Sequence, residues 1–140
     1  MKKLPKPELN AKDVFSRCVS RIRDDDLKTR LMSCEDTVEL AASEFDQKAL
    51  AVELHTIQSS DNVDNTVTSD EMKSVYTQRM VKKTSPGREY YDLLMAIPAH
   101  GRCPLCGQRI VTTLDHHLPK AHYPALVVSP LNLIPGLSYP

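Results

Sequence analysis

Residues 103–135 read CPLCGQRIVTTLDHHLPKAHYPALVVSPLNLIP, and the rest of the chain is best interpreted outward from this stretch. It begins with Cys103 and Cys106, two residues apart before Gly107, the spacing of a zinc knuckle in which both thiolates reach one metal ion. One knuckle supplies two of the four ligands that a structural zinc ion needs. A redox CxxC motif and two unbound thiols are the alternatives, and no βαβ pattern supports the redox motif.

The next part of the stretch predicts a β-strand that ends in two polar residues. Residues 110–114 are β-prone and run directly into Asp115 and His116, which the end of a strand can direct into one cleft. A carboxylate suits a hard divalent cation, and a neutral imidazole suits the activation of water. Pro119 then turns the chain. A second extended run is expected at residues 125–128.

Composition changes near residue 97, which predicts two modules, 1–97 and 98–140. The second module holds seven of the ten prolines and four of the five histidines. The 140 residues carry 18 basic and 18 acidic side chains, so the chain lacks the strong positive field of a stand-alone nucleic-acid binder. It has no apolar run long enough to span a membrane and no signal peptide, which favours the cytoplasm.

Residues 1–97 are expected to be mainly helical, which gives an α+β fold class for the whole chain. Apolar residues recur at helical spacing from residue 11 to 23 and again, after the acidic run at 24–26, as far as residue 45. Thr68 and Glu71 form a capping box, and Ser85 before Pro86 predicts another helix start. Residues 49–57 fit a helix or a strand, and residues 59–66 are expected to form a loop.

The two remaining cysteines, Cys18 and Cys34, fall inside these helical patterns. Without a secretion signal they are expected to be small buried hydrophobic residues and not a disulfide. The helical faces themselves carry no catalytic constellation. They are interpreted as a core or as a surface for docking another protein.

The three motifs CPLCG, TLDHHLPKAHYP and SPLNLIP together resemble the HNH endonucleases of the ββα-metal class. The closer resemblance is to the PtuB-type nucleases of Septu antiphage systems and of retron operons. It implies a partial ββα-metal finger after the helical region, and metal-dependent hydrolysis of phosphodiester bonds in antiviral defence. Invading DNA is the default substrate, and a host RNA such as tRNA is the alternative.

The resemblance also implies residue roles. His116 would be the general base, and Asp115 would bind the catalytic Mg²⁺ or Mn²⁺. Asn132 would hold the loop and orient His116 by hydrogen bonds. Cys103 and Cys106 would form half of a structural Zn²⁺ site.

Two more residues are candidates on chemical grounds alone. Lys120 and His122 lie close in sequence to the predicted site, where a cation and a hydrogen-bond donor would bind flanking phosphates. On a strand, the His117 side chain would point to the opposite face from that of His116. His117 is therefore expected to be structural or to contact substrate.

PtuB-type nucleases are paired with PtuA, an ATPase of the ABC/SMC type, so the resemblance implies such a partner. A retron reverse transcriptase and its msDNA are further possible partners. One helical face within residues 11–57 is expected to dock the ATPase. The family pattern also has a second cysteine pair and a final metal ligand after Asn132, which residues 133–140 lack. The sequence as written is therefore expected to be incomplete, with weak or no activity.

A zinc finger that reads DNA is the main rival, since Cys103, Cys106, His117 and His122 approach its ligand spacing. Pro119 counts against it, because the finger needs a helix between its histidines and proline inside a helix costs about 3 kcal/mol. A non-catalytic subunit that only binds zinc or docks a partner is the other alternative.

Overall fold

The computed structural model describes residues 7–98 and 110–136. In these ranges the fold is α+β, as the sequence predicts, with five α-helices and two small antiparallel sheets. The helices are α1 (Ala11–Val19), α2 (Asp25–Met32), α3 (Glu35–Leu50), α4 (Ser69–Tyr76) and α5 (Arg88–Met95). The strands are β1 (Asn62–Val63), β2 (Val67–Thr68), β3 (Thr113–His116) and β4 (Leu133–Gly136). No helix of the described ranges is long and apolar enough to cross a membrane.

Local capping signals account for two of the helix starts. The Asp24 side chain accepts a hydrogen bond from the Leu27 amide and opens α2. The predicted capping box of α4 is present in both directions, between Thr68 and Glu71. The predicted start at Ser85 is wrong, because α5 begins at Arg88 after Gly87.

Residues 49–66 form more structure than the sequence predicts. Helix α3 continues to Leu50, and a 3₁₀ turn follows at Leu54–Thr56. The expected loop at 59–66 contains a tight β-hairpin, because Asp64 and Asn65 both have φ of 55° and a hydrogen bond joins the Thr66 amide to the Val63 carbonyl. Two consecutive left-handed residues are the signature of a type I′ turn, whose twist matches that of paired strands.

The predicted extended run at 125–128 is also wrong. Its residues form a 3₁₀ turn, Pro124–Leu126, followed by a further turn, and the strand that pairs with β3 is β4. The buried side chains of Leu126, Val127 and Val128 are apolar because the turn lies in the core. Apolar runs of this length do not by themselves distinguish a strand from another buried segment.

One hydrophobic core unites the described parts of the chain on both sides of residue 97. Phe15, Leu31, Met72 and Leu94 from the helices are fully buried. They share a cluster with side chains of the C-terminal segment, namely Leu114, Val127, Val128 and Leu133. The division into modules 1–97 and 98–140 stays a prediction, and the packing does not separate the two segments.

Candidate active site

The antiparallel pair β3 and β4 carries the predicted catalytic residues. Asp115 lies opposite Ile134 and His116 lies opposite Leu133, at the end of β3 where the chain leaves the sheet. The long connection between the two strands then folds back as the turns that enter the core. Asp115 and His116 are therefore consecutive residues at the strand end, and both contribute to the lining of one cleft.

Asn132 holds this connection together. Its side-chain oxygen accepts a hydrogen bond from the Leu118 amide at 2.8 Å, and its side-chain nitrogen donates to the carbonyls of Leu118 and Leu126, both at 3.1 Å. The His117 amide donates to the Asn132 carbonyl at 2.9 Å. Asn132 is fully buried, so replacing its amide would leave these backbone groups unsatisfied at a cost of about 1–3 kcal/mol.

His116 is oriented by a backbone carbonyl. Its Nε2 lies 2.8 Å from the Val127 oxygen. Because a carbonyl only accepts, Nε2 carries the proton, and in the neutral ring Nδ1 carries the lone pair. The predicted hydrogen bond from Asn132 to the His116 ring is not formed; Asn132 acts indirectly, by fixing the loop at Leu126 beside Val127.

Burial shifts the pKa of both candidate residues. It lowers the pKa of His116 to about 4, against the opposing effect of the Val127 hydrogen bond, and the positive charge of Lys120 lowers it further. Partial burial raises the pKa of Asp115 above its usual value. At neutral pH the imidazole is therefore uncharged, which is the form that accepts a proton.

Asp115 and His116 line a cleft of about 510 Å³. Residues from the helical region form its other wall, so both predicted modules contribute to it. The lining residues are Tyr76, Thr77, Val81, Thr113, Leu114, Asp115, His116, Pro119 and Lys120. Lys120 thus lines the same cleft as Asp115 and His116, whereas His122 lines a separate, smaller recess beside Tyr123 and Leu126. His117 points away from the cleft, with its ring 6.2 Å from that of Phe45.

The donor set at the cleft meets the minimum for a hard divalent cation. Within residues 7–98 and 110–136 no group of three or more His, Cys, Asp or Glu side chains comes together. Mg²⁺ in phosphate-processing sites is bound by as few as one or two carboxylates, together with water and substrate phosphate. Asp115 is the one carboxylate among the described residues that line the cleft, so it could supply one such ligand.

The predicted zinc ligands Cys103 and Cys106 lie outside the described residues. For the rival zinc finger, the segment from His117 to His122 consists of bends and turns, with Pro119 between them. The helix that such a finger uses to carry its two histidines is not formed there.

Three residues of the site were missed by sequence reasoning: Tyr76, Val127 and Gly136. Tyr76 lies in the helix that the capping box at Thr68 predicts, and Val127 in the extended run expected at 125–128. Gly136 lies against the Asp115 carboxylate, where an added Cβ would approach Oδ2 to 2.6 Å. No local pattern marks these residues, because their roles arise from contacts between distant segments.

No family model matches the chain, and no solved structure matches it. It is similar to Protein ea31 of Escherichia phage lambda, with 26% identity over 143 aligned positions that cover 97% of this chain and 48% of the phage protein. The chain thus spans about half the length of that relative. This likeness does not define a family.

Proposed function

We propose that this protein is a metal-dependent endonuclease of the HNH type, and that it hydrolyses phosphodiester bonds of DNA or RNA. The observation that carries the proposal is the environment of His116. One ring nitrogen is committed to the Val127 carbonyl, the other is left to accept a proton, and Asp115 lines the same cleft. Asn132 closes the loop that supports this arrangement.

The chemistry assigned to these residues is a single hydrolytic step. Nδ1 of His116 takes a proton from water as the water oxygen bonds to phosphorus, and the bond from phosphorus to the 3′ oxygen breaks. Asp115 would hold Mg²⁺ or Mn²⁺, which when bound neutralises charge on the phosphate and on the leaving oxygen. Lys120, on the cleft wall, would bind a neighbouring phosphate of the substrate.

The test is cleavage of DNA and RNA oligonucleotides with Mg²⁺, with Mn²⁺ and with EDTA. We expect slow, metal-dependent cleavage that falls by about a further 10²–10⁴-fold in His116→Ala, the range for loss of a general base. His117→Ala is the matched control, since its ring lies against Phe45 and outside the cleft. Equal loss in both variants, or no loss in His116→Ala, would contradict the assignment of His116.

A defence role and a partner ATPase belong to the same proposal, and they rest on the motif resemblance. One structural observation supports a protein partner on residues 11–57. Leu40 and Leu50 on α3 expose 70% and 79% of their surface, so a partner docked on this helix could bury them. Co-purification of the protein with the ATPase, from cells that express both, tests this part of the proposal.

A further inference from the structure

We propose that Tyr76 is a positioning residue of the cleft, which holds the His116 ring and the Lys120 ammonium group where they can act on a phosphodiester. The inference rests on the proposed function and extends it to the helical region. That region would then supply part of the active site in addition to any docking surface.

Tyr76 is anchored on both sides of the cleft. It is the last residue of α4, directly before a π-helical turn at Thr77–Val81, and only 5% of its surface is exposed. Its hydroxyl donates a hydrogen bond to the Leu114 carbonyl at 3.3 Å, on the strand that carries Asp115 and His116.

The first contact made by the Tyr76 ring is with His116. The two ring centroids are 4.5 Å apart and the ring planes meet at 78°, a T-shaped arrangement. The Val127 carbonyl already holds the His116 ring through the hydrogen bond at Nε2. A second contact at the side of the ring limits its rotation about that hydrogen bond, so the direction of Nδ1 is set by both neighbours.

The second contact is with Lys120. Its Nζ lies 5.2 Å from the centroid of the Tyr76 ring, within the range of a cation–π interaction. A lysine side chain has about 2 kcal/mol of rotamer entropy, so a fixed ring beneath it favours one position of the charge. No ion pair to Lys120 is formed within the described ranges, which leaves the charge available for an anion.

A purely structural role makes a different prediction. If Tyr76 only filled space in the core, a leucine of similar burial would preserve the cleft once the loss of stability is allowed for. Tyr76→Phe keeps the ring and removes the hydroxyl, whereas Tyr76→Leu removes the ring. The two variants therefore separate packing and hydroxyl bonding from the ring contacts.

The first experiment measures binding and needs no cleavage. A short fluorescein-labelled DNA duplex is titrated in EDTA, at several salt concentrations, with wild type, Tyr76→Leu, Lys120→Ala and the double variant. We expect Lys120→Ala to weaken binding and to reduce the salt slope by about 1, as for loss of one phosphate contact. Tyr76→Leu should produce most of the same loss, and the double variant should bind no more weakly than Lys120→Ala. Additive losses would overturn the inference for Lys120.

The second experiment observes His116 directly by NMR. The ring-proton signals of His116 should shift in Tyr76→Leu, because the ring current of Tyr76 is lost, and should stay close to wild type in Tyr76→Phe. Tyr91→Leu is the matched control, since Tyr91 is another buried tyrosine under a cation, with Arg88 at 4.3 Å, and it does not line the cleft. Unchanged His116 signals in Tyr76→Leu would overturn the inference for His116.

Cleavage assays then distinguish this inference from the proposed function. If the protein is a nuclease, Tyr76→Leu should lower kcat about 10–100-fold, because small misplacements of a catalytic group are costly, and Tyr76→Phe should restore most of it. If neither the wild type nor any variant cleaved nucleic acid, while the binding and NMR results were as expected, only the proposed function would be contradicted. Cleavage that depends on His116 but is unchanged in Tyr76→Leu would contradict only the role of Tyr76.

Discussion

At the scale of single residues, the position of the Asp115 carboxylate depends on a residue that has no side chain. Gly136 on β4 lies diagonally across the strand pair from Asp115, and a Cβ at this glycine would come within 2.6 Å of Oδ2. The atom that it would meet is the free end of a side chain, so the carboxylate would move and the backbone would stay. The glycine therefore matters for the site more than for the fold.

This gives a prediction for Gly136→Ala. We expect thermal stability within about 1 kcal/mol of wild type, because the alanine also restricts the unfolded chain. Metal-dependent cleavage should fall about 10–100-fold, as is usual when a residue that supports a metal ligand is changed. Calorimetric titration with Mn²⁺ and a cleavage assay measure the two effects separately.

Gly87→Ala is the matched control for Gly136→Ala. An added Cβ at Gly87 would lie 2.5 Å from both the Arg79 carbonyl and the Cys18 sulfur, and a carbonyl of the backbone cannot simply rotate away. This variant should lose stability, by about 1–3 kcal/mol as for an overpacked core, although Gly87 does not line the cleft. A Gly136→Ala protein that loses stability and keeps its Mn²⁺ affinity would contradict the role given to Gly136.

At the scale of elements, the helices were easier to predict from the sequence than the strands. The starts of α2 and α4 follow from Asp24 and from the Thr68–Glu71 capping box, because a cap is made by residues within one turn. Strand β4 was missed because its partner β3 lies far along the chain, and its short apolar sequence includes Pro135. The apolar run at 125–128 was more strand-like but lies in a buried turn.

Glu71 also joins two elements, and its charge makes that contact depend on pH. Both of its carboxylate oxygens accept hydrogen bonds from Arg30 on α2, at 2.8 and 2.7 Å. Arg30, followed by the capping bond at Thr68, lowers the pKa of Glu71 from 4.5 to about 2. A carboxyl group whose pKa is lower in the folded state stabilises the fold above its unfolded pKa, and this contribution is lost as pH falls.

The corresponding prediction concerns Glu71→Gln. At pH 6 this variant should be less stable than wild type by about 1 kcal/mol, the upper end for partly exposed ion pairs. The difference should shrink as the pH falls from about 4.5 toward 2, where wild type loses the same charge. Urea unfolding at several pH values measures this difference in stability.

Asp70→Asn is the control, because the exposed pair of Asp70 with Lys73, at 3.6 Å, is expected to contribute little to stability. A difference that stays constant with pH would rule out the charge of Glu71 as its cause.

At the scale of the whole molecule, the sequence pointed to the β3 side of the cleft but not to the opposite wall. Asp115, His116 and Asn132 occur close together in a recognisable order; Asp115 and His116 lie on β3, and Asn132, in the turn before β4, bonds to the connecting loop. Tyr76 reaches His116 from 40 positions earlier in the chain. Contacts of this separation depend on how the core packs, and hydrophobic periodicity specifies only which face of a helix is buried.

The shared core predicts that the helical region and the β3–β4 pair unfold together. Leu114 on β3 is 3% exposed and packs in the same cluster as Phe15 and Leu94 of the helices. Leu114→Ala should therefore cost about 2–5 kcal/mol and lower one common transition. Circular dichroism at the helix band and the NMR ring signals of His116 and His117 report the two regions independently, and coincident melting is the signature of a two-state transition.

If the histidine signals of Leu114→Ala were lost at a lower temperature while the helices melted as in wild type, the two segments would be separate folding units. The cleft between Tyr76 and His116 would then be an interface able to open, whereas a common transition makes it a fixed part of one fold.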